Sequence, residues 1–238
     1  MLIYVCLSSH GFGHAARQAT VLCALHRLKP SWRFVVSSNV SADFLKLVCA
    51  AVPVEQRFVG WDVGMIQADA LGVDQEKTLA SLKALETDLP QRIDQEVAWI
   101  GEQNTPVLVV GDIPPAAAVL SERLGAPLVW MGNFGWDDIY EPLGGRFSEY
   151  AAAARAQYRQ GELLLRCPFS MAMPWGLDEQ PLGLTVSALR ELPAPLRQHL
   201  DTIQQPLVLV GFGGLGLAID PALFRLWPHH HFLMPAPV

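Results

Sequence analysis

The chain is poor in charge and in paired cysteine. Only 17% of its 238 residues are charged, against 51% hydrophobic, which excludes a disordered chain that lacks the apolar surface to offset its own ordering entropy. Its 17 basic residues are scattered, and the formal net charge is −6. With no basic run to track a phosphate backbone, the composition speaks against a nucleic-acid partner. Cys6, Cys23, Cys49 and Cys167 form no C-x-x-C pair and sit in apolar stretches, where a thiol behaves as a small hydrophobe. That usage points to a reduced, cytoplasmic protein. No apolar run approaches the ~20 residues of a membrane-spanning helix. The opening MLIYVCLSSHG has neither a basic leader nor a small-residue cleavage site, so it reads as a buried strand and not as a signal peptide. Repeats and low-complexity tracts are also missing.

What is present is an alternation of short apolar runs and helical periodicity. Leu2 to Leu7 is a continuous apolar run, the pattern of a strand covered on both faces. A helix from about Ala15 to His26, a strand from Arg33 to Val36, a helix from Ser41 to Ala50 and a strand from Val52 to Phe58 follow, giving a βαβαβ order. From Asp74 to Glu102 leucines and isoleucines step by three or four; Pro90 is expected to kink or break that helix. Strands at Val107–Val110 and Leu128–Met131 flank a helix from Pro114 that Gly125 closes, and Leu163–Cys167 is a further strand. The fold class is α/β, a Rossmann-like parallel sheet.

Residues 169–205 are broken repeatedly by proline, the composition of a linker. Beyond them a strand at 206–210, GFGGLG, a short helix near Asp220 and an apolar run at 232–234 read as the start of a second Rossmann-like domain. The expected division is therefore 1–168, a linker at 169–205 and an incomplete domain at 206–238. So few residues cannot cover both faces of a sheet, so Leu207–Val210 and Phe232–Met234 are expected to lack a covering layer. A homo-oligomer made through that segment follows as one expectation.

Three loops carry chemistry. SSHGFGHAAR at 8–17 follows the first strand, where parallel sheets bind ligands. Gly11 and Gly13 free the backbone amides to face an anion, and the helix starting near His14 adds its positive end. His14 or His10 could serve as general base. A metal site and a plain glycine corner are the alternatives, and the two glycines between the histidines argue against metal. Asp112, after the fourth strand, either orients that histidine or caps the helix ahead of Pro114 and Pro115. After the fifth strand GNFGWDDIY offers Asn133 and Asp137 as hydrogen-bond partners and Trp136 as a stacking face for a polyhydroxy ligand, or is structural. Gly211, Gly213 and Gly214 lie in a G-x-G-x-x-G, but no acidic residue follows about 20 residues on, so the dinucleotide reading fails. His229–His231 reads as a surface turn.

SHGFGHAARQATVL, DVGMIQADALGVD at 62–74, VVGDIPPAAAVLSERLGAPLVWMGNFGWDDIY and LVLVGFGGLG together resemble a family. It is the GT-B glycosyltransferase-like family found in the N-terminal region of plant L-arabinokinase and in stand-alone bacterial relatives. The resemblance implies two Rossmann-like domains, the first for an acceptor hydroxyl and the second for a nucleotide sugar, with no other cofactor. It implies a base or pyrophosphate-facing role for His14, and donor-phosphate contacts at Gly213 and Gly214. Gly11, Phe12, Gly13 and Arg17 would line the substrate side. Ser9, Gly111 and Gly135 depart from the family pattern. The expected activity is sugar transfer to a hydroxyl; a non-catalytic binding module or an inactive fragment is the rival reading.

Overall fold

The computed structural model describes residues 1–68, 72–187, 189, 191–211 and 220–234. They fall into two units, one of Met1–Ile66 with Asp74–Ser187 and one of Gln67–Val73 with Ala188–Val238.

In the larger unit the chain runs β1 (Leu2–Leu7), α1 (Gly13–Leu28), β2 (Arg33–Ser37), α2 (Ala42–Val48), β3 (Val54–Arg57), α3 (Gln75–Glu102), β4 (Val107–Asp112), α4 (Ala117–Leu124), β5 (Leu128–Gly132), α5 (Trp136–Tyr140), α6 (Arg146–Tyr158), β6 (Leu163–Arg166) and β7 (Asp178–Pro181). The strands form one seven-stranded sheet in the order β3-β2-β1-β4-β5-β6-β7, and every pairing is parallel. β1 is buried along its whole length. Its side chains alternate: Leu2, Tyr4 and Cys6 join a core with Trp61, Ile93, Ile100, Leu120 and Trp130. Ile3, Val5 and Leu7 join another with Ala15, Ala19, Leu22, Phe34 and Leu45. The two-residue period thus feeds both faces, which is why the strand reads as an unbroken apolar run.

Local chemistry sets the helix ends. Ser41 caps α2 through its hydroxyl, which accepts from Phe44 N at 3.5 Å, and Asp74 caps α3, accepting from Lys77 N at 2.9 Å. Gly125 closes α4 in the left-handed region at φ 56°, where a side chain would be strained. α3 continues through Pro90 as one helix, because Leu82, Ile93 and Ile100 bury its inner face on both sides of the proline. A buried Glu96 ties α3 to the sheet, accepting from Tyr4 Oη at 2.5 Å and from Arg57 Nη2 at 2.6 Å.

The linker expectation changes. Residues 169–205 are not a linker throughout: Asp178–Pro181 is β7, paired to β6 from Leu163↔Asp178 to Arg166↔Pro181. As an edge strand all four of its residues are exposed, so it carries no apolar signal and tolerates proline. The unit consequently extends to Ser187. α6 also escapes the periodicity reading, since its buried positions Phe147, Ala151, Ala154 and Tyr158 are half alanine.

The smaller unit holds α7 (Ala194–Asp201) and a two-stranded parallel sheet of β8 (Leu207–Leu209) and β9 (His231–Leu233). A short 3-10 turn at Pro221–Leu226 is capped by Asp220, which accepts from Ala222 N at 2.8 Å. Leu207, Leu209, Leu226 and Trp227 are exposed. His229 lies in a turn and His231 opens β9.

Candidate functional site

The strand order reverses between β1 and β4, with β2 on one side and β5 on the other. At such a switch point the connecting loops part and leave a crevice beyond the carboxyl ends of the strands. Leu7 and Asp112 are the last register pair of β1 and β4, and Ser8 N donates to Asp112 O at 2.8 Å. The loop after β1 therefore starts directly beside the Asp112 carboxylate.

His14 is the second residue of α1, and Arg17 and Gln18 follow one helical turn later on the same face. All three converge on Asp112. His14 Nδ1 lies 2.8 Å from Asp112 Oδ1. Arg17 Nε donates to Asp112 Oδ2 at 2.8 Å, its Nη2 donates to Oδ1, and Gln18 Nε2 donates to Oδ2 at 2.8 Å. Arg17 Nη1 also donates to Asn133 Oδ1 at 2.7 Å, bringing in the end of β5.

Asp112 is fully buried. Burial alone would raise its carboxyl, but the Arg17 guanidinium and His14 outweigh that and hold it at about 2. The carboxylate is therefore a permanent acceptor. Nδ1 of His14 lies between this carboxylate and Arg17 Nη2, 2.9 Å away. The carboxylate only accepts, and Arg17 Nη2 already donates to the same Oδ1, so the imidazole proton is assigned to Nδ1 and directed at Asp112. Nε2, which has no partner among the described residues, is then the free basic nitrogen.

His10 occupies a second position. Its backbone N donates to Ser8 Oγ at 3.2 Å, and Gly11 turns the chain at φ 86°. The His10 ring packs on Gly64 so closely that a Cβ there would come within 2.6 Å of Nδ1. It also meets the edge of Trp136 at 5.5 Å. Burial pushes the His10 imidazole below its ordinary value, partly offset by Asp62. A side chain at Gly11 or Gly13 would meet nothing within 4 Å. Gly11 N donates to Ser9 O at 3.0 Å, and no side chain caps α1, so the first amides of the helix have no side-chain acceptor. Phe12, 40% exposed, is drawn aside onto Phe44 at 4.3 Å.

The structure thus gathers His14, Arg17, Asp112 and Asn133, with His10 and Trp136 sharing an edge. Two expectations about the β5 loop are corrected. Trp136 offers no open stacking face: it is buried, stacks on Tyr140 at 5.7 Å and donates Nε1–H to Asp62 Oδ2 at 2.8 Å. Asp137 is fully buried, accepting from Arg155 Nε at 3.2 Å and Trp175 Nε1 at 3.3 Å, so it is a structural anchor. Placing Trp136 and Asp137 in the short helix α5 turns both inward. Gly211 is exposed after β8 in the smaller unit; Gly213 and Gly214 lie outside the described residues. The sequence reading missed Gln18, Asp62 and Gly64. Helical spacing from His14 points to Gln18; Asp62 and Gly64 sit in a loop without periodicity. Among the described residues no cluster of His, Cys, Asp and Glu could hold a metal, and no helix is long and apolar enough to cross a membrane.

No protein-family model matches the chain. Along an alignment that covers 87% of this chain, it is 31% identical to L-arabinokinase of Arabidopsis thaliana, of which it spans 20%. Phytolacca americana UGT2, solved with UDP-2-fluoro-glucose and pterostilbene, superposes over 99% of this chain and 72% of its own at TM-score 0.62 and 11% identity. A UDP-glucosyltransferase from Polygonum tinctorium, described as capable of glucosylating indoxyl, covers 99% of this chain and 71% of its own at TM-score 0.58 and 13% identity. By fold, the chain is GT-B glycosyltransferase-like. In this GT-B-like chain the histidine-glycine corner and the Asp112 carboxylate occupy the carboxyl edge of the sheet. Its length is about a fifth of the curated relative's.

Proposed function

We propose that this GT-B-like chain acts in the transfer of a sugar from a nucleotide sugar to an acceptor hydroxyl. The observation that carries the reading is the contact of 2.8 Å between His14 Nδ1 and Asp112 Oδ1, which leaves Nε2 as a base beside an amide-lined turn. In the proposed step the acceptor O–H gives its proton to His14 Nε2 as its oxygen bonds to the anomeric carbon. The bond from that carbon to the diphosphate breaks, and the nucleoside diphosphate departs with the electron pair. Asp112 fixes the imidazole and stabilises the imidazolium. Arg17 and Gln18 hold Asp112 in place, and the backbone amides of Phe12 and Gly13 at the start of α1 are assigned to phosphate oxygens. The nucleotide sugar is a co-substrate, and no further cofactor enters the step.

The test is to incubate the chain with a panel of nucleotide sugars and small alcohols, detecting glycoside by mass spectrometry and binding by calorimetry. His14→Ala should lower turnover at least ~100-fold while leaving the circular dichroism spectrum unchanged. Undiminished turnover in that variant removes the base assignment. Binding without product replaces the reading with a sugar-nucleotide binding module, and neither binding nor product overturns both.

A further inference from the structure

At the β3 edge of the sheet, the chain encloses a polar recess of about 600 Å³ against the middle of α3, lined by Asn39, Gln56, Arg57, Phe58, Arg92 and Gln95. No residue of the histidine corner lines it, and none from the loops after β4 and β5 does. Its floor includes Gly60. A Cβ there would stand 2.9 Å from Arg92 Nη1 and 2.9 Å from Asn39 Nδ2, so a guanidinium and a carboxamide lie side by side over backbone that glycine leaves bare.

Internal pairing fixes both guanidinium groups and leaves part of each unused. Arg57 donates from Nε and Nη2 to Glu96, the latter at 2.6 Å, and lies over the Trp99 ring at 4.1 Å. Glu96 is the one carboxylate lining the recess, and Arg57 offsets its charge. Arg92 donates from Nη1 to Gly60 O at 2.7 Å and from Nη2 to Asp88 Oδ2 at 3.1 Å, the second an exposed helical pair that contributes little. The recess therefore carries a surplus positive charge. Nη1 of Arg57 and Nε of Arg92 remain as unused donors among the described residues, with the exposed carboxamides of Asn39 and Gln95 lining the same space. Groups held in this way bind a ligand without a large ordering cost.

Charge, hydrogen bonding and shape together define the occupant. The surplus guanidinium complements one anionic group. Carboxamides both donate and accept, which is what neighbouring hydroxyls require. The ring of Phe58, 67% exposed, offers a flat apolar face to the C–H side of a sugar ring. The volume lies within the range of small-molecule sites. We propose that this recess is a binding site for an anionic monosaccharide, a sugar ring that carries one carboxylate or phosphate. The site stands apart from the proposed transfer and needs neither histidine.

The experiment titrates the chain with glucose 6-phosphate, galacturonate, glucose and inorganic phosphate, reading the Arg92 Nε–H signal by NMR. Glucose 6-phosphate or galacturonate is expected to move that signal saturably, and the tighter of the two names the anion. Glucose lacks the charge and phosphate lacks the ring, so each should bind at least ten-fold weaker. Gln95→Glu, an exposed substitution that sets a like charge in the recess, should weaken the tighter acid at least ten-fold. Phe58→Ser, equally exposed, should weaken it as well. In His14→Ala the titration of the Arg92 signal should be unchanged, which separates this site from the transfer corner. Lack of saturable movement, glucose or phosphate binding as tightly, full affinity in either recess variant, or loss in His14→Ala overturns the proposal.

Discussion

His14 Nδ1 and Asp112 Oδ1 meet at 2.8 Å although 98 residues separate them along the chain. The meeting follows from β1 and β4 lying side by side in register through Leu7↔Asp112. A ligand-facing imidazole and a buried carboxylate are brought together by a rule of parallel sheets, that loops open where the strand order reverses. Arg17 and Gln18 then complete the hydrogen bonding of a carboxylate that would otherwise be costly to bury.

That burial makes Asp112 a stability group as well as a site residue. Its folded value, about 2, lies below the unfolded value of about 3.9. The stability it contributes is full above about pH 4 and is lost as pH falls toward about 2. Asp112→Asn should remove that part of the acid transition. At neutral pH it should cost roughly 3–5 kcal/mol, because the charge of Arg17 is left buried and unpaired. Urea denaturation of both proteins at several pH values measures the two effects.

Gly64 positions His10. It adopts φ 69°, and a Cβ there would stand 2.6 Å from His10 Nδ1 and 2.7 Å from its Cγ, too deep in the ring for a small rotation to relieve. Gly64→Ala should destabilise the protein by roughly 1–3 kcal/mol. It should also displace the His10 imidazole signal while the signal of His14, held by Asp112, stays. Thermal melting with ¹H–¹³C spectra of the rings reads both; an unmoved His10 signal refutes the placement.

Of the chain's four tyrosines, Tyr4, Tyr140 and Tyr158 are buried. Burial pushes all three hydroxyls well above their ordinary value. Because the folded value is raised, their contribution is intact below the unfolded value of about 10 and is lost as pH rises beyond it. Ultraviolet difference absorbance should show Tyr150 ionising in the native state and the other three appearing together with alkaline unfolding. Gradual ionisation of all four before unfolding counts against the burial.

Legibility in the sequence follows how local each signal is. β1, α1 and the start of α3 at Asp74 are encoded within a few neighbouring residues, so the βαβ order and the glycine corner were readable. The role of Asp112 beside the histidine was readable as one of two alternatives, since its place at a strand end is local and its partner is not. β7 was not readable, because an exposed edge strand needs no apolar pattern. The inward turn of Trp136 and Asp137 was not readable either. Aromatic and acidic residues in a loop look alike whether they face ligand or core, and only the packing of Tyr140, Tyr158 and Trp175 around α5 distinguishes the two.

The amino-acid order alone determined an alternating α/β chain, the glycine-flanked histidines after the first strand and an acidic residue at the end of the fourth, since each depends on backbone preference and side-chain period. Tertiary structure decided which of these meet. Sheet register set Asp112 beside His14, helix pitch turned Arg17 and Gln18 onto the same carboxylate, and close packing buried Trp136. Those outcomes depend on contacts between residues far apart in the chain, which no local preference encodes.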